Sequence, residues 1–189
     1  MGRVLFKSDK NKIISILNEG GVGVMPTDTL YGLASRADDA AAVERVYQIK
    51  GRDESKPLII LISALEDLDK FGVELDMSLR DKLKQYWPGA NSIILPCRSE
   101  EWSHLHRGTQ TLAFRMPDDE WLQSLLELSG PLVAPSANPQ AKQPARSTEE
   151  AQKYFGESVD FYVDGGTVDA AASQLYILND GQLSTLERK

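Results

Sequence analysis

Cysteine is nearly absent from this sequence, since Cys97 is the single one among 189 residues. One cysteine cannot form an internal disulfide, and it excludes a cysteine-based zinc site. Long apolar runs are also missing, because no stretch approaches the roughly 20 apolar residues that a membrane-spanning helix needs. The N-terminal residues MGRVLFKSDKNK contain no apolar segment and no small-residue cleavage site of a secretory signal. We therefore expect a cytoplasmic protein with no membrane contact.

Familiar nucleotide-binding and nucleophile motifs are missing as well. The sequence has no Walker A motif and no G-x-G-x-x-G. No Ser-His-Asp or Cys-His arrangement indicates a covalent nucleophile. The two histidines, His104 and His106, lie two residues apart, but no acidic pattern of the zinc-protease type surrounds them. We therefore predict no metal site built from protein ligands, and any nucleotide must bind by another route.

Positive charge is in short supply. The chain has 21 lysines and arginines against 28 aspartates and glutamates, a formal net charge of −7. Proteins that wrap nucleic acid need a basic surface to neutralise phosphates. The overall charge therefore argues against a nucleic-acid partner unless the basic residues gather locally.

What is present fits one globular domain spanning residues 1–189. Apolar residues make up 41% and charged residues 26% of the chain. The patterning predicts strands and helices that alternate, with several strands following each other directly, which favours an α/β fold with a mixed sheet and flanking helices. Helices are predicted at 9–19, 38–50, 65–75, 77–87, 120–130 and 147–155. Strands are predicted at 22–25, 56–63, 91–97, 111–117, 131–138, 159–166, 173–178 and 181–187.

Three polar clusters lie next to the ends of predicted strands, where ligands tend to bind in open α/β sheets, and a fourth lies on one face of a predicted strand. They are Thr27-Asp28-Thr29 with Tyr31, Lys50-Gly51-Arg52 with Lys56, Thr111 to Arg115, and Ser136-Ala137-Asn138. Each cluster also has a purely structural interpretation. The hydroxyl-rich segments suit turns and helix caps, the cationic segment suits a solvated loop, and Arg115 suits an ion pair with Asp118 or Asp119. Together, however, guanidinium, ammonium and hydroxyl groups form a set that binds phosphates and carboxylates.

The order of the motifs PTDTLYGL, KGRDESKPLIIL, WPG, TLAFRMP and PLVAPSAN resembles the short, single-domain form of the YrdC-like threonylcarbamoyl-AMP synthase family. The similarity runs from about residue 10 to 155, with a weaker tail. It implies a YrdC-like fold, a twisted mixed open sheet with flanking helices around a large cationic cavity.

The resemblance also implies an activity. Members of the family are nucleotidyltransferases that join L-threonine, bicarbonate and ATP into L-threonylcarbamoyl-AMP and release pyrophosphate. ATP is then a substrate, and Mg²⁺ is expected to accompany it. A downstream complex transfers the threonylcarbamoyl group to an adenosine next to the anticodon of tRNA. Weak RNA binding is a further expectation.

The family pattern assigns site residues by position. Thr27, Arg115 and Ser173 are the expected L-threonine contacts, with Arg115 holding the carboxylate. The expected ATP contacts are Arg52, Lys56, Thr111, Ser136, Asn138 and Arg188. Lys50 and Arg52 are the expected catalytic residues, because two anions must approach each other and the site must supply positive charge.

Some positions depart from the family pattern. Ala90-Asn91-Ser92 follows the WPG motif, Pro139-Gln140-Ala141-Lys142 follows the S-A-N motif, and Leu61 replaces a family histidine near threonine. Three alternatives therefore stay open. The chain could be a double-stranded RNA- or tRNA-binding module of the same fold acting in ribosome or RNA maturation, a carbamoyl-phosphate-dependent carbamoyl-transfer domain, or a non-catalytic paralogue.

Overall fold

The computed structural model describes residues 2–53, 56, 58–179 and 181–187. Its strands are β1 Arg3–Phe6, β2 Gly23–Pro26, β3 Tyr31–Arg36, β4 Ile59–Leu61, β5 Asn91–Pro96, β6 Thr111–Arg115, β7 Leu132–Val133, β8 Phe161–Asp164, β9 Gln174–Asn179 and β10 Gln182–Leu186. Its helices are α1 Lys10–Asn18, α2 Ala40–Lys50, α3 Asp67–Lys70, α4 Met77–Leu83, α5 Ser103–His106, α6 Glu120–Ser129 and α7 Thr148–Phe155. Short 3-10 turns cover Lys7–Asp9 and Glu100–Trp102.

The strands form one sheet in the order β1-β8-β2-β3-β7-β4-β6-β5-β9-β10. Four neighbouring pairs are parallel (β1–β8, β2–β8, β4–β6 and β5–β9), and the others are antiparallel. The predicted α/β class with a mixed sheet is therefore confirmed. The predicted terminal hairpin is also present, since β9 and β10 pair antiparallel.

Helices cover both faces of the sheet. Apolar residues of α1 and α6, among them Ile13, Leu17 and Leu122, form one core with Leu5 and Met25 of the sheet. Residues of α2, α5 and α7 share the second, larger core on the other face. This burial on both faces explains why β4 reads as a continuous apolar run rather than an alternating one.

Two helix predictions need correction. The helix expected at 65–75 is one turn, α3, because Gly72 takes the left-handed conformation with φ of 66° and ends it. The helix expected at 77–87 ends at Leu83, well before the Pro88-Gly89 pair.

At the start of α7 the hydroxyl of Ser147 accepts the amide of Glu150, as a capping box requires. The Glu150 carboxylate instead accepts the amide of Arg146.

The chain passes from β8 to β9 through residues 165–173, which we call the strap. β8 and β9 lie seven positions apart in the sheet, about 34 Å if the sheet were flat. Ten residue steps from Asp164 to Gln174 reach at most about 36 Å. Ala172 and Ser173 line a cavity together with residues of β3, β4 and β6. The strap therefore crosses the middle of the sheet.

Tyr31 fastens the first end of the strap. Its buried hydroxyl donates to the carbonyl of Gly166 at 2.7 Å and accepts the amide of Gly165 at 3.0 Å. The backbone of Gly165 comes so close to the sheet that a Cβ there would lie 2.5 Å from Cγ of Pro26. The phenol in the PTDTLYGL motif therefore has a structural task, which is to hold the strap against β2 and β3.

We expect Tyr31→Phe to lower the free energy of unfolding by about 1–3 kcal/mol, because the strap loses one hydrogen bond and a buried amide loses its acceptor. Urea denaturation followed by circular dichroism measures the change. Tyr176→Phe is the control, because its ring packs on Tyr86 and its hydroxyl makes no hydrogen bond to the described residues. Equal losses in the two variants would contradict the fastening role of Tyr31.

Candidate amino-acid and nucleotide site

The turn between β2 and β3 is closed by the hydroxyl of Thr27. This hydroxyl donates to the carbonyl of Leu30 at 2.7 Å and accepts the amides of Thr29 and Leu30, both at 3.2 Å. The Thr27 amide donates to the same carbonyl at 3.1 Å. The structural interpretation of the Pro-Thr-Asp-Thr segment as a turn is therefore confirmed for Thr27.

Arg115, at the end of β6, points its guanidinium into this turn. The residue is 4% exposed. Nη1 donates to the hydroxyl of Thr29 at 2.5 Å and Nη2 to that of Thr27 at 3.2 Å. Nη2 also lies 3.3 Å from Oδ1 of Asp28. The expected pairing of Arg115 with Asp118 or Asp119 is thus corrected, because the ion-pair partner is Asp28 of the turn itself.

Asp28 is a buried carboxylate with little hydrogen bonding. Its side chain is 7% exposed. Oδ2 accepts the amide of Asp118 at 3.4 Å, and Oδ1 has no hydrogen-bond partner within the described part of the chain. Burial raises the pKa of Asp28, and the neighbouring Arg115 guanidinium opposes that rise. The carboxylate therefore balances the charge of Arg115 without a directional bond to it.

A small cavity lies against the Thr27–Arg115 cluster. Its polar lining comes from Thr27, Thr29, Arg115, Ser136 and Ser173. The other lining residues are Leu30, Tyr31, Gly32, Ile59, Ala134 and Ala172. All three residues expected to bind threonine thus meet at one place, together with Ser136 from the expected ATP contacts.

The small cavity is too small for an amino acid. Its volume of about 30 Å³ has room for one or two waters. A larger cleft of about 810 Å³ adjoins it, and Leu30 and Ala172 line both spaces. Its charged lining residues, Arg146, Lys153, Glu150 and Asp169, are of both signs. An amino acid therefore fits beside Arg115 only if the lining of the small cavity moves, and Leu30 and Ala172 are the lining residues that it shares with the larger cleft.

Ser173 places the second end of the strap at the cavity. It is 5% exposed, and its hydroxyl lies 2.9 Å from that of the fully buried Ser92. The amide of Gln174 donates to the carbonyl of Ala90 at 2.9 Å. The segment that departs from the family pattern after WPG therefore anchors a residue expected to bind substrate.

Lys50 joins two of the predicted clusters. Its Nζ donates to the carbonyls of Ser136 and Asn138 at 2.6 and 2.9 Å and to Oδ1 of Asn138 at 2.9 Å. The hydroxyl of Ser136 lies 3.4 Å from Nζ and donates to the same Asn138 oxygen at 2.6 Å. Since Lys50 is 4% exposed, the structure gives it the task of holding the S-A-N segment. Its catalytic role stays a prediction.

Three further expected ATP contacts, Arg52, Lys56 and Thr111, are not among the described residues that line the small cavity. Nε of Arg52 donates to the carbonyl of Lys56 at 3.1 Å, and the hydroxyl of Tyr47 donates to the same oxygen at 3.1 Å. The charge of Arg52 contributes to lowering the pKa of Lys50. Thr111, on the strand of Arg115, donates its hydroxyl to that of Thr109 at 3.3 Å. Arg188 lies outside the described residues.

Three residues at the site escaped assignment from the sequence. Thr29 makes the shortest contact to Arg115, Asp28 supplies its counter-charge, and Ser92 orients Ser173. Thr29 could have been found, because it repeats the hydroxyl of Thr27 two residues later in the same turn. Asp28 and Ser92 act through contacts between distant segments that no local pattern reveals.

The histidines take structural positions. Nε2 of His104 lies 2.9 Å from the carbonyl of Ala37, and the His106 ring bridges the carbonyl of Ser99 and the amide of Gly108. Within the described residues no group of three or more histidine, cysteine, aspartate or glutamate side chains could hold a metal ion. In the same part of the chain, no helix combines the length and apolar character needed to cross a membrane.

Lys50 makes stability depend on pH. Burial and the charge of Arg52 lower its pKa from 10.5 to about 8. Between these values the unfolded chain binds more protons than the folded one, so the contribution of Lys50 to the free energy of unfolding rises with pH. We expect the difference between wild type and Lys50→Met to grow by up to about 1.4 kcal/mol per pH unit in this window. Urea denaturation at pH 7 to 10 measures it, and a difference independent of pH would contradict the assignment.

The chain is similar to known proteins over most of its length. The model of the Sua5/YciO/YrdC family, described as "Telomere recombination", matches residues 15–186. A threonylcarbamoyl-AMP synthase of Bacillus subtilis is 34% identical over 154 residues, which is 80% of this chain and 44% of that protein. One from Halorhodospira halophila is 33% identical and covers 79% of this chain and 78% of its own length. The chain therefore spans less than half of some curated relatives that it matches.

Solved structures share the fold. Sua5 of P. abyssi complexed with L-threonine superposes with a TM-score of 0.87 at 30% identity, over 98% of this chain and 56% of that one. YciO of E. coli gives 0.86 at 23% identity, over 98% and 95%, and this match concerns the fold alone. The match to the family model covers most of the described chain and includes every polar cluster of the site. The chain belongs to the Sua5/YciO/YrdC family.

Proposed function

We propose that this chain is an L-threonylcarbamoyladenylate synthase. It would form L-threonylcarbamoyl-AMP and pyrophosphate from L-threonine, bicarbonate and ATP. The observation that carries the proposal is the buried Arg115 guanidinium, set among threonine and serine hydroxyls in one cavity. The curated relatives named threonylcarbamoyl-AMP synthase and the P. abyssi Sua5 structure with L-threonine support it.

The amino acid binds at Arg115 in this proposal. A guanidinium pairs with a carboxylate through two parallel N–H groups, a geometry that an ammonium cannot reproduce. Thr29 and Ser173 line the same cavity, and in this proposal their hydroxyls orient the rest of the substrate. Thr27 fixes the frame through its turn. A substrate lacking its own hydroxyl would leave polar groups of the site unpaired, which gives strong discrimination.

The reaction joins two anions. The threonine amine attacks the carbon of bicarbonate, and loss of water leaves a carbamate. A carbamate oxygen then attacks the α-phosphorus of ATP, and the bond to the β-phosphate oxygen breaks to release pyrophosphate. Positive charge and exclusion of water stabilise this approach. Arg52 and Lys56 supply charge in this proposal, Lys50 holds Ser136 and Asn138 in place, and Mg²⁺ arrives with the nucleotide.

In this proposal the larger cleft serves as an entry route for substrate rather than as the ATP site, because none of the proposed ATP contacts is among its described lining residues. The cleft of about 810 Å³ falls within the range of about 300–1,000 Å³ that small-molecule sites occupy. It adjoins the small cavity at the strap. Opening of this boundary would let threonine enter the small cavity, which is also lined by Ser136, one of the proposed ATP contacts. We place the product in the pathway that modifies adenosine next to the tRNA anticodon, with a separate complex as acceptor.

We expect purified protein to release pyrophosphate only when L-threonine, bicarbonate and ATP with Mg²⁺ are all present. Mass spectrometry of the mixture should show threonylcarbamoyl-AMP, and L-threonine should raise the melting temperature more than L-serine does. Binding of short RNA duplexes with no response to threonine or ATP would favour the RNA-binding alternative instead. Pyrophosphate release with carbamoyl phosphate in place of bicarbonate and threonine would favour the carbamoyl-transfer alternative.

We expect Arg52→Ala to abolish pyrophosphate release while the melting temperature stays within the range of surface variants, because half-buried Arg52 supplies charge rather than core packing. Arg98→Ala is the matched control, since Arg98 is exposed in the segment after β5. Near-normal turnover of Arg52→Ala would contradict its role.

We expect Arg115→Lys to raise KM for L-threonine by about tenfold or more, because the lysine keeps the charge and loses the bidentate fork. KM for ATP should change little. The two constants are measured by varying one substrate with the other saturating. A rise confined to KM for ATP would place the carboxylate elsewhere.

A further inference from the structure

Asp28 stands behind Arg115 and outside the small cavity. The described residues that line this cavity include Thr27 and Thr29 on either side of Asp28, but not Asp28 itself. Its Oδ1 lies 3.3 Å from Nη2 of Arg115 and is closed off from solvent. The guanidinium therefore has a carboxylate next to it and a cavity in front of it.

The directional bonds and the charge balance of Arg115 come from different groups. Its Nη1 and Nη2 donate to the hydroxyls of Thr29 and Thr27. These hydroxyls are neutral, so they orient the guanidinium without cancelling its charge. Asp28 cancels the charge, although its Oδ1 receives no hydrogen bond from the described residues. Removing the Asp28 charge would leave a buried cation that an added carboxylate could neutralise through the guanidinium fork.

We propose that Asp28 is the internal counter-ion of Arg115 and sets the anion selectivity of the small cavity. The proposal rests on the assignment of Arg115 as the carboxylate-binding group in the proposed function. A simple carboxylate gains little at a guanidinium whose charge is already balanced. An amino acid binds because its further polar groups meet the hydroxyls of the cavity. Asp28 is thus a specificity-determining residue that does not touch the substrate.

The charges around Asp28 support this arrangement. The amide of Asp118 donates to Oδ2, and Asp119 is the nearby acidic group whose charge acts on Asp28. Asp119 itself caps α6 and lies 3.7 Å from Nζ of Lys7. Arg115 is the cation that acts on Asp28.

The test compares wild type with Asp28→Asn, which keeps the shape and removes the charge. Melting temperatures are measured against sodium propionate, with sodium chloride at equal ionic strength as reference, and against L-threonine. We expect propionate to leave the melting temperature of wild type unchanged and to raise that of Asp28→Asn. The apparent affinity of Asp28→Asn for propionate should be at least about tenfold higher than that of wild type, because the charge of Arg115 is then uncompensated. Without ligand, Asp28→Asn should melt below wild type.

Asp118→Asn is the matched control. It also removes one carboxylate charge close to Asp28. The Asp118 side chain is exposed, however, and Asp118 contacts Asp28 through its backbone amide. We expect it to respond to propionate as wild type does. Asp28→Glu, which restores the charge, should lose most of the propionate response.

A second variant covers the case in which Asp28→Asn does not fold. Asp28→Asn combined with Arg115→Gln removes both charges, so we expect it to fold and to show no propionate response. A folded Asp28→Asn without any gain for propionate overturns the proposal. If Asp28→Asn does not fold and the double variant does not fold either, the proposal is also overturned, because an unbalanced Arg115 charge would then not explain the unfolding of Asp28→Asn.

The two proposals can fail separately. A propionate response gained by Asp28→Asn supports the counter-ion role even if wild type releases no pyrophosphate. Pyrophosphate release by wild type together with an unchanged propionate response in Asp28→Asn supports the proposed function and overturns the counter-ion role.

Discussion

A guanidinium buried at the end of β6 is the constraint on which the rest of this site depends. Moving an ion out of water costs several kcal/mol unless hydrogen bonds and an opposite charge replace the solvent. For Arg115 the replacement comes from three consecutive residues, Thr27, Asp28 and Thr29. These three residues follow the last residue of β2 directly. Two hydroxyls and a carboxylate therefore follow an apolar strand because they stabilise the buried charge of Arg115, which belongs to a distant segment of the chain.

Lys50 is also a buried cation, but different groups replace the solvent around it. Its ammonium is surrounded by oxygens of Ser136 and Asn138, so carbonyl and amide dipoles replace the solvent and no carboxylate is needed. This choice preserves positive charge where phosphates are expected to bind, whereas Arg115 carries a counter-ion where an amino acid is expected. Each buried cation thus organises one loop, Arg115 the turn after β2 and Lys50 the S-A-N segment. The antiparallel bridge between Gly32 and Ser136 sets these two parts of the site side by side.

Local sequence patterns predicted those structural features that depend on residues close together in the sequence. The apolar run of β4 and the hydroxyl cap of α7 follow from composition and spacing, and the resemblance located the clusters. The single turn of α3 was missed because the conformation of Gly72 outweighs the apolar periodicity around it. The partners of the buried cations were also beyond reach. Lys50 meets a segment 86 residues away, and Ser92 meets Ser173 at a separation of 81. Only the folded sheet decides whether a polar residue faces a ligand or another residue.

The site divides into a fixed part and a part that must move. Arg115, the Thr27 turn and the Lys50 network are held by several hydrogen bonds each, so their geometry is set before a substrate arrives. The small cavity nevertheless holds about 30 Å³, room for one or two waters rather than an amino acid. Leu30 and Ala172 line both this cavity and the large cleft, and Ala172 belongs to the strap. Tyr31 and Ser92 fasten the two ends of the strap. Its middle is fixed as well, because the amide of Val168 donates to the carbonyl of Arg146 at 2.9 Å and the Val168 side chain packs against the larger core. The small, exposed residues 170–172 lie between Val168 and the buried Ser173, so movement of the boundary costs least there.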